Sequence, residues 1–161
     1  MLRPSRRPNP SRQRWACLVG LLACTVVASA CAAASPQDAI RAQTTASADA
    51  VLYIGWPNDG QVVRADQPLR VWFGLRNMGV APKGMPFPNT GHHHLLIDTD
   101  LPPLDREIPS DRNHLHFGAG ETETVLSLPP GRHTLQLVMG DAGHLPHSPP
   151  VFSKKITIVV R

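Results

Sequence analysis

His133-Thr134-Leu135-Gln136-Leu137-Val138-Met139 sets His133, Leu135, Leu137 and Met139 at every second position. Side chains alternate between faces along a strand, so this stretch presents one apolar face and reads as β. The same period recurs in Val51 to Trp56, Gln61 to Arg64, Leu69 to Arg76, His92 to Asp98, Thr122 to Leu128 and Lys155 to Val160. Turn formers separate them at Pro57-Asn58-Asp59-Gly60, Ala65-Asp66-Gln67-Pro68 and Pro129-Pro130-Gly131. Seven short strands without a convincing helical segment predict an all-β fold, an immunoglobulin-like antiparallel β-sandwich. A small β-barrel is the competing architecture.

These strands occupy residues 51–161, enough chain for one modest core and not for two. Ahead of them, Met1 to Arg14 carries five arginines and no acid, and Trp15 to Ala30 is almost unbroken apolar sequence. That pattern reads as a signal peptide over residues 1–30. Val27-Ala28-Ser29-Ala30-Cys31 also resembles a bacterial lipobox, which would make Cys31 the lipidated first residue of an exported, periplasmic, membrane-anchored protein. Leu21-Leu22-Ala23-Cys24 is a second candidate that leaves a shorter apolar core, and a soluble secreted chain is the plainer alternative. Residues 31–50, rich in Ala, Ser, Thr and Gln, bury too little apolar surface to fold and read as a tether.

The formal charge of +4 belongs to the leader: after residue 31, 11 Lys and Arg face 12 Asp and Glu, a net of about −1. No basic stripe remains for nucleic acid. Cys17, Cys24 and Cys31 are the only cysteines, which excludes disulfides, thiolate zinc sites, blue-copper centres and cysteine catalysis from residues 51–161. No serine-nucleophile elbow, phosphate-cradling loop or dinucleotide fingerprint is present.

All eight histidines lie between residues 92 and 147, and seven fall into three sets: His92, His93, His94; His114, His116; and His144, His147. Two long connections, Asn77 to Gly91 and Thr99 to Gly120, flank the first set and are expected to cover one end of the sandwich.

Four linked motifs carry a resemblance: Gly91-His92-His93-His94-Leu95-Leu96-Ile97-Asp98; His114-Leu115-His116-Phe117-Gly118-Ala119-Gly120-Glu121-Thr122-Glu123; Leu128-Pro129-Pro130-Gly131-Arg132-His133-Thr134-Leu135; and Asp141-Ala142-Gly143-His144-Leu145-Pro146-His147-Ser148-Pro149. In this order they resemble the DUF4399 family of exported bacterial domains, over about Val51 to Val160. The resemblance implies an envelope location and a single β-domain, and brings no established activity.

Strand periodicity puts His93 with Leu95 and Ile97, and His92 with His94 on the other face. If Leu95 and Ile97 face the core, His93 is a buried, hydrogen-bonded histidine and the ligand reading attaches to His92 and His94. His114 and His116 repeat the spacing around Leu115, while Pro146, Pro149 and Pro150 stiffen the segment holding His144 and His147. Imidazole is the commonest side-chain metal ligand, so the expected set is His92, His94, His114 and His116, completed by His144 or His147. His133 is expected to point into the sandwich and bond a buried carbonyl. Of the nearby acids, Asp98 and Asp141 stand out as able to orient imidazoles, whereas Asp100, Asp105, Glu107 and Asp111 read as solvated. Met78 and Met85 would suit Cu(I), although such methionines more often fill packing gaps.

The leading expectation is a non-enzymatic metal-binding domain that captures or buffers copper, with zinc second, since the general affinity order favours copper. Ligands with ordinary histidine pKa values would release the ion near pH 5. A surface-anchored protein or glycan interaction module with a structural histidine network is the alternative. A metalloenzyme with three histidines and a water is the third reading.

Overall fold

The computed structural model describes residues 43–161; the expected signal peptide and Cys31 lie outside the described residues. Among the described residues there are nine strands and no helix: β1 Val51–Trp56, β2 Val62–Val63, β3 Leu69–Arg76, β4 Gly79–Val80, β5 Thr90–Ile97, β6 His114–Phe117, β7 Glu123–Leu126, β8 Gly131–Gly140 and β9 Ile156–Val160. A three-stranded sheet runs β1-β3-β7. A larger sheet runs β2-β9-β8-β5-β4, and β6 pairs with β5.

The two-residue period does what it should. Leu52, Val71 and Phe73 of the small sheet meet Leu95, Ile97, Leu135, Leu137, Met139 and Ile158 of the large one in a single buried cluster. Each fully buried aliphatic or aromatic side chain contributes roughly 1.5–3 kcal/mol relative to exposure, so this seam holds the sandwich together. The other face of the large sheet is covered too. Leu96 and Val138 pack there against Ile108, with Leu101 beside them, and Ile108 belongs to the long connection after β5. Strand β5 is therefore buried on both faces, and its seven residues from Gly91 to Ile97 are all buried.

The sandwich matches expectation in class and differs in detail. There are nine strands rather than seven. Strand β4 falls in the connection ahead of the first His set and is two residues long, too short for any periodicity to show. Strand β6 was expected as loop histidines, but His114-Leu115-His116-Phe117 pairs antiparallel with β5 across His93 to Leu96. Two short pairings, β2 with β9 and β4 with β5, are parallel, so the larger sheet is mixed rather than purely antiparallel. Residues 43–50 do not behave as the end of a tether. Ala46 is part of the core cluster, the Thr44 amide donates to Asp141, and the Ser47 amide donates to Asn89.

Candidate metal centre

Antiparallel register decides which histidines meet. On β5, His92 and His94 share the face opposite Leu95 and Ile97, as the alternation required, and connections roof that face. His116 lies directly across from His94 on β6. Opposed antiparallel residues have Cβ atoms about 4.5–5.5 Å apart, so these two imidazoles are neighbours by construction.

The fourth imidazole arrives from a tight loop. The chain after β8 folds back so that Gly140 bridges Pro146 and the Asp141 amide donates to the Leu145 carbonyl at 2.8 Å. The buried Asp141 carboxylate organises this loop, accepting from the amides of Gly143 (2.8 Å), Leu145 (3.0 Å) and Thr44 (3.1 Å). His144 sits at its tip with φ 70°, a left-handed conformation that costs a non-glycine residue about 1–3 kcal/mol and recurs at ligand clamps. Ile108 donates its amide to the His144 carbonyl at 2.9 Å, tying the loop to the roof.

His92, His94, His116 and His144 thus converge, with one ligand-capable ring nitrogen from each lying within 4.8 Å of all the others. The Nε2 atoms of His92 and His94 are 3.1 Å apart, and those of His144 and His116 are 2.8 Å apart. The four could hold a metal ion. Two glycines make room for them. A Cβ on Gly140 would lie 2.9 Å from His94 Nε2 and 3.2 Å from His92 Nε2, and one on Gly118 would lie 2.5 Å from His116 Nε2. Neither glycine has a positive φ, so their backbones would accept alanine and the imidazoles alone would not.

The electrostatics favour neutral rings. Burial, followed by the repulsion of His144, His116 and Lys83, lowers the His92 pKa to about 3. Burial and the surrounding imidazoles take His94 to about 2, and burial, His116 and Lys83 take His144 to about 4. His116 is lowered as well, first by burial. Ligating imidazoles must be unprotonated, so four of the groups a metal needs are held ready for it.

The remaining histidines have other work. His114, expected as a ligand, shares the outer face but pairs Nδ1 with Asp111 Oδ1 at 2.9 Å. His147, also a candidate, covers Gly91 with its ring and places Nε2 3.0 Å from the Thr90 carbonyl. Gly91 has the parity of His93 along β5, so His147 stands on the core side of the sheet and away from the quartet. His93 is buried as expected: its ring is 5.1 Å from Phe73, its Nδ1 is 3.0 Å from the Glu121 carbonyl, and burial lowers its pKa to about 4. His133 bonds a carbonyl, but that of the exposed Pro129, at 2.9 Å, rather than a buried one, and it also reaches Asp98 at 2.7 Å.

The model of the DUF4399 family, a domain of unknown function, matches residues 71–161. The chain belongs to this family. The match takes in every strand of the large sheet except β2, and with them all eight histidines; β1 and β2 precede it. No curated protein matches the chain, and no solved structure matches it.

Proposed function

We propose that this DUF4399 domain captures or buffers a transition-metal ion, copper or zinc, in the cell envelope, and that it does so without catalysing a reaction. The observation that carries this reading is the convergence of four imidazoles from β5, β6 and the 141–147 loop. A bound ion would offset the burial of these imidazoles: structural zinc sites yield on the order of 10–16 kcal/mol, against the ~1 kcal/mol that one ring-to-ring hydrogen bond returns.

A non-catalytic role is supported by closure. Catalytic zinc keeps a position open beyond its three protein ligands, whereas here four imidazoles surround one point and His92 and His94 are 0% exposed. The envelope location rests on the leader-like residues 1–30 and on Cys31, taken as the lipid anchor. The interaction-module reading draws on a different observation: Trp56, Trp72 and Val125 lie exposed on the small sheet, away from the histidines.

Thermal unfolding of the full chain with one equivalent of ion tests the proposal. The ion should raise the midpoint of the wild type through binding to the native state, and the His92→Ala, His94→Ala double variant should lose that gain. Equal stabilisation of both proteins would contradict it.

A further inference from the structure

The arrangement of the four rings carries information about the ion. Ring centres are separated by 5.0 Å for His92–His94, His92–His116, His92–His144, His94–His116 and His94–His144, and by 4.2 Å for His116–His144. Four points with six nearly equal separations form a tetrahedron. Four points in a square cannot do this, because the diagonals exceed the sides by a factor of about 1.4. An imidazole bound at about 2.0–2.1 Å puts its ring centre about 3.2 Å from the ion, so a tetrahedral site has all six centres about 5 Å apart. A square-planar site would show four separations of about 4.5 Å and two of about 6.4 Å on the same bond length. The observed set follows the first pattern.

The tetrahedron is also hard to flatten. Two of its corners, His92 and His94, stand on one strand buried on both faces, and the third, His116, is fixed across from His94 by the β5–β6 register. His92 and His94 lie against Gly140 and His116 lies against Gly118, each ring occupying the space that a Cβ would take. The donors are all imidazole nitrogens. Among the described residues no thioether joins them: Met139 and Met78 pack in or against the core and Met85 is on the surface. A tetrahedral nitrogen set without sulfur suits zinc, which has no d-electron geometric preference, better than Cu(II), which prefers tetragonal fields, or Cu(I), which prefers soft ligands.

We propose that the quartet is a closed tetrahedral four-imidazole site for Zn(II), a reading that rests on the metal-binding role proposed above and reverses the preference for copper drawn from affinity order alone. The full-length protein loaded with Co(II), a spectroscopic stand-in for zinc, should show the intense visible d–d bands of a tetrahedral centre, and Zn(II) should bleach them at one equivalent. Gly140→Ala, which keeps all four imidazoles, should weaken Co(II) binding at least tenfold while leaving the far-ultraviolet circular dichroism of the metal-free protein unchanged. Weak bands of a six-coordinate ion bound at these histidines would overturn the tetrahedral assignment and leave the metal-binding role standing, as would a tetragonal Cu(II) electron paramagnetic resonance signal that survives an excess of Zn(II). The absence of any Co(II), Zn(II) or Cu(II) bound at the quartet would overturn both readings.

Discussion

Gly140 separates the metal site from the fold more cleanly than any histidine does. Its added methyl would lie 2.9 Å from His94 Nε2 and 3.2 Å from His92 Nε2, so these two buried rings would have to leave the quartet to admit it. Because those rings are buried, Gly140→Ala is expected to cost the metal-free protein about 1–3 kcal/mol of overpacking in denaturant unfolding, while the strand backbone itself accepts alanine. His133 gives the converse case. Burial lowers its pKa, but the Asp98 and Pro129 hydrogen bonds and the Asp98 charge outweigh that and raise it overall. A raised folded-state pKa means its stabilisation is complete below pH 6.5 and is lost as the pH climbs through the folded value. Replacing His133 with alanine should cost about 1–3 kcal/mol near pH 6, less at pH 8, and leave ion binding unchanged. At this scale the sequence showed much: the alternation separated His93 from His92 and His94, and it marked His133 as non-ligating. It could not show which of His114 or His116, and of His144 or His147, would join them. That choice depends on pairing register and on a loop set by Asp141, neither of which is a local property. Gly118 and Gly140 escaped notice for the same reason.

Strand β5 concentrates the pH response of the domain. His92 and His94 stay neutral down to about pH 3 and 2, and His93 to about pH 4, whereas in the unfolded chain all three take up protons near pH 6.5. Below pH 6.5 the unfolded state binds more protons than the native one, so stability falls as the pH drops from 6.5 toward these folded-state values. Each buried imidazole contributes a slope of at most about 1.4 kcal/mol per pH unit. Urea unfolding of the metal-free protein between pH 7 and 5 should show this loss, and a flat profile would mean that the rings are solvated. The same burial alters the expectation for the ion. Protons compete only weakly at pH 5 with His92, His94 and His144, whose pKa values are lowered to about 3, 2 and 4, so much of the thermal gain from metal should survive there. Release near pH 5, inferred from ordinary histidine values, applies to exposed rings. Strand β6 teaches a related lesson: the alternation in His114-Leu115-His116-Phe117 was visible, but its proline-rich surroundings made it read as loop.

For the molecule as a whole, the sandwich class was legible because seven of the nine strands, β2 among them as Gln61 to Arg64, were marked by their period and flanking turns, whereas two-residue β4 exists only through its partner and β6 read as loop. The start of the folded unit was not legible. Residues 43–50 have a tether's composition, yet Ala46 is 3% exposed in the core and Thr44 bonds the carboxylate that shapes the His144 loop. Limited proteolysis should accordingly stop before residue 43 rather than at Val51, and deletion through Ala50 should weaken both stability and ion binding. Mass spectrometry of the mature chain from its native host should find diacyl or triacyl modification on Cys31, and an unmodified amino terminus downstream of it would defeat the lipoprotein proposal. One ion is expected to sit among His92, His94, His116 and His144. Native mass spectrometry of the untagged full-length protein titrated with Zn(II) reads it directly. One tightly held ion per chain, absent from the His92→Ala, His94→Ala double variant, is the predicted result; no retained ion, or the same ion count in both proteins, would contradict it.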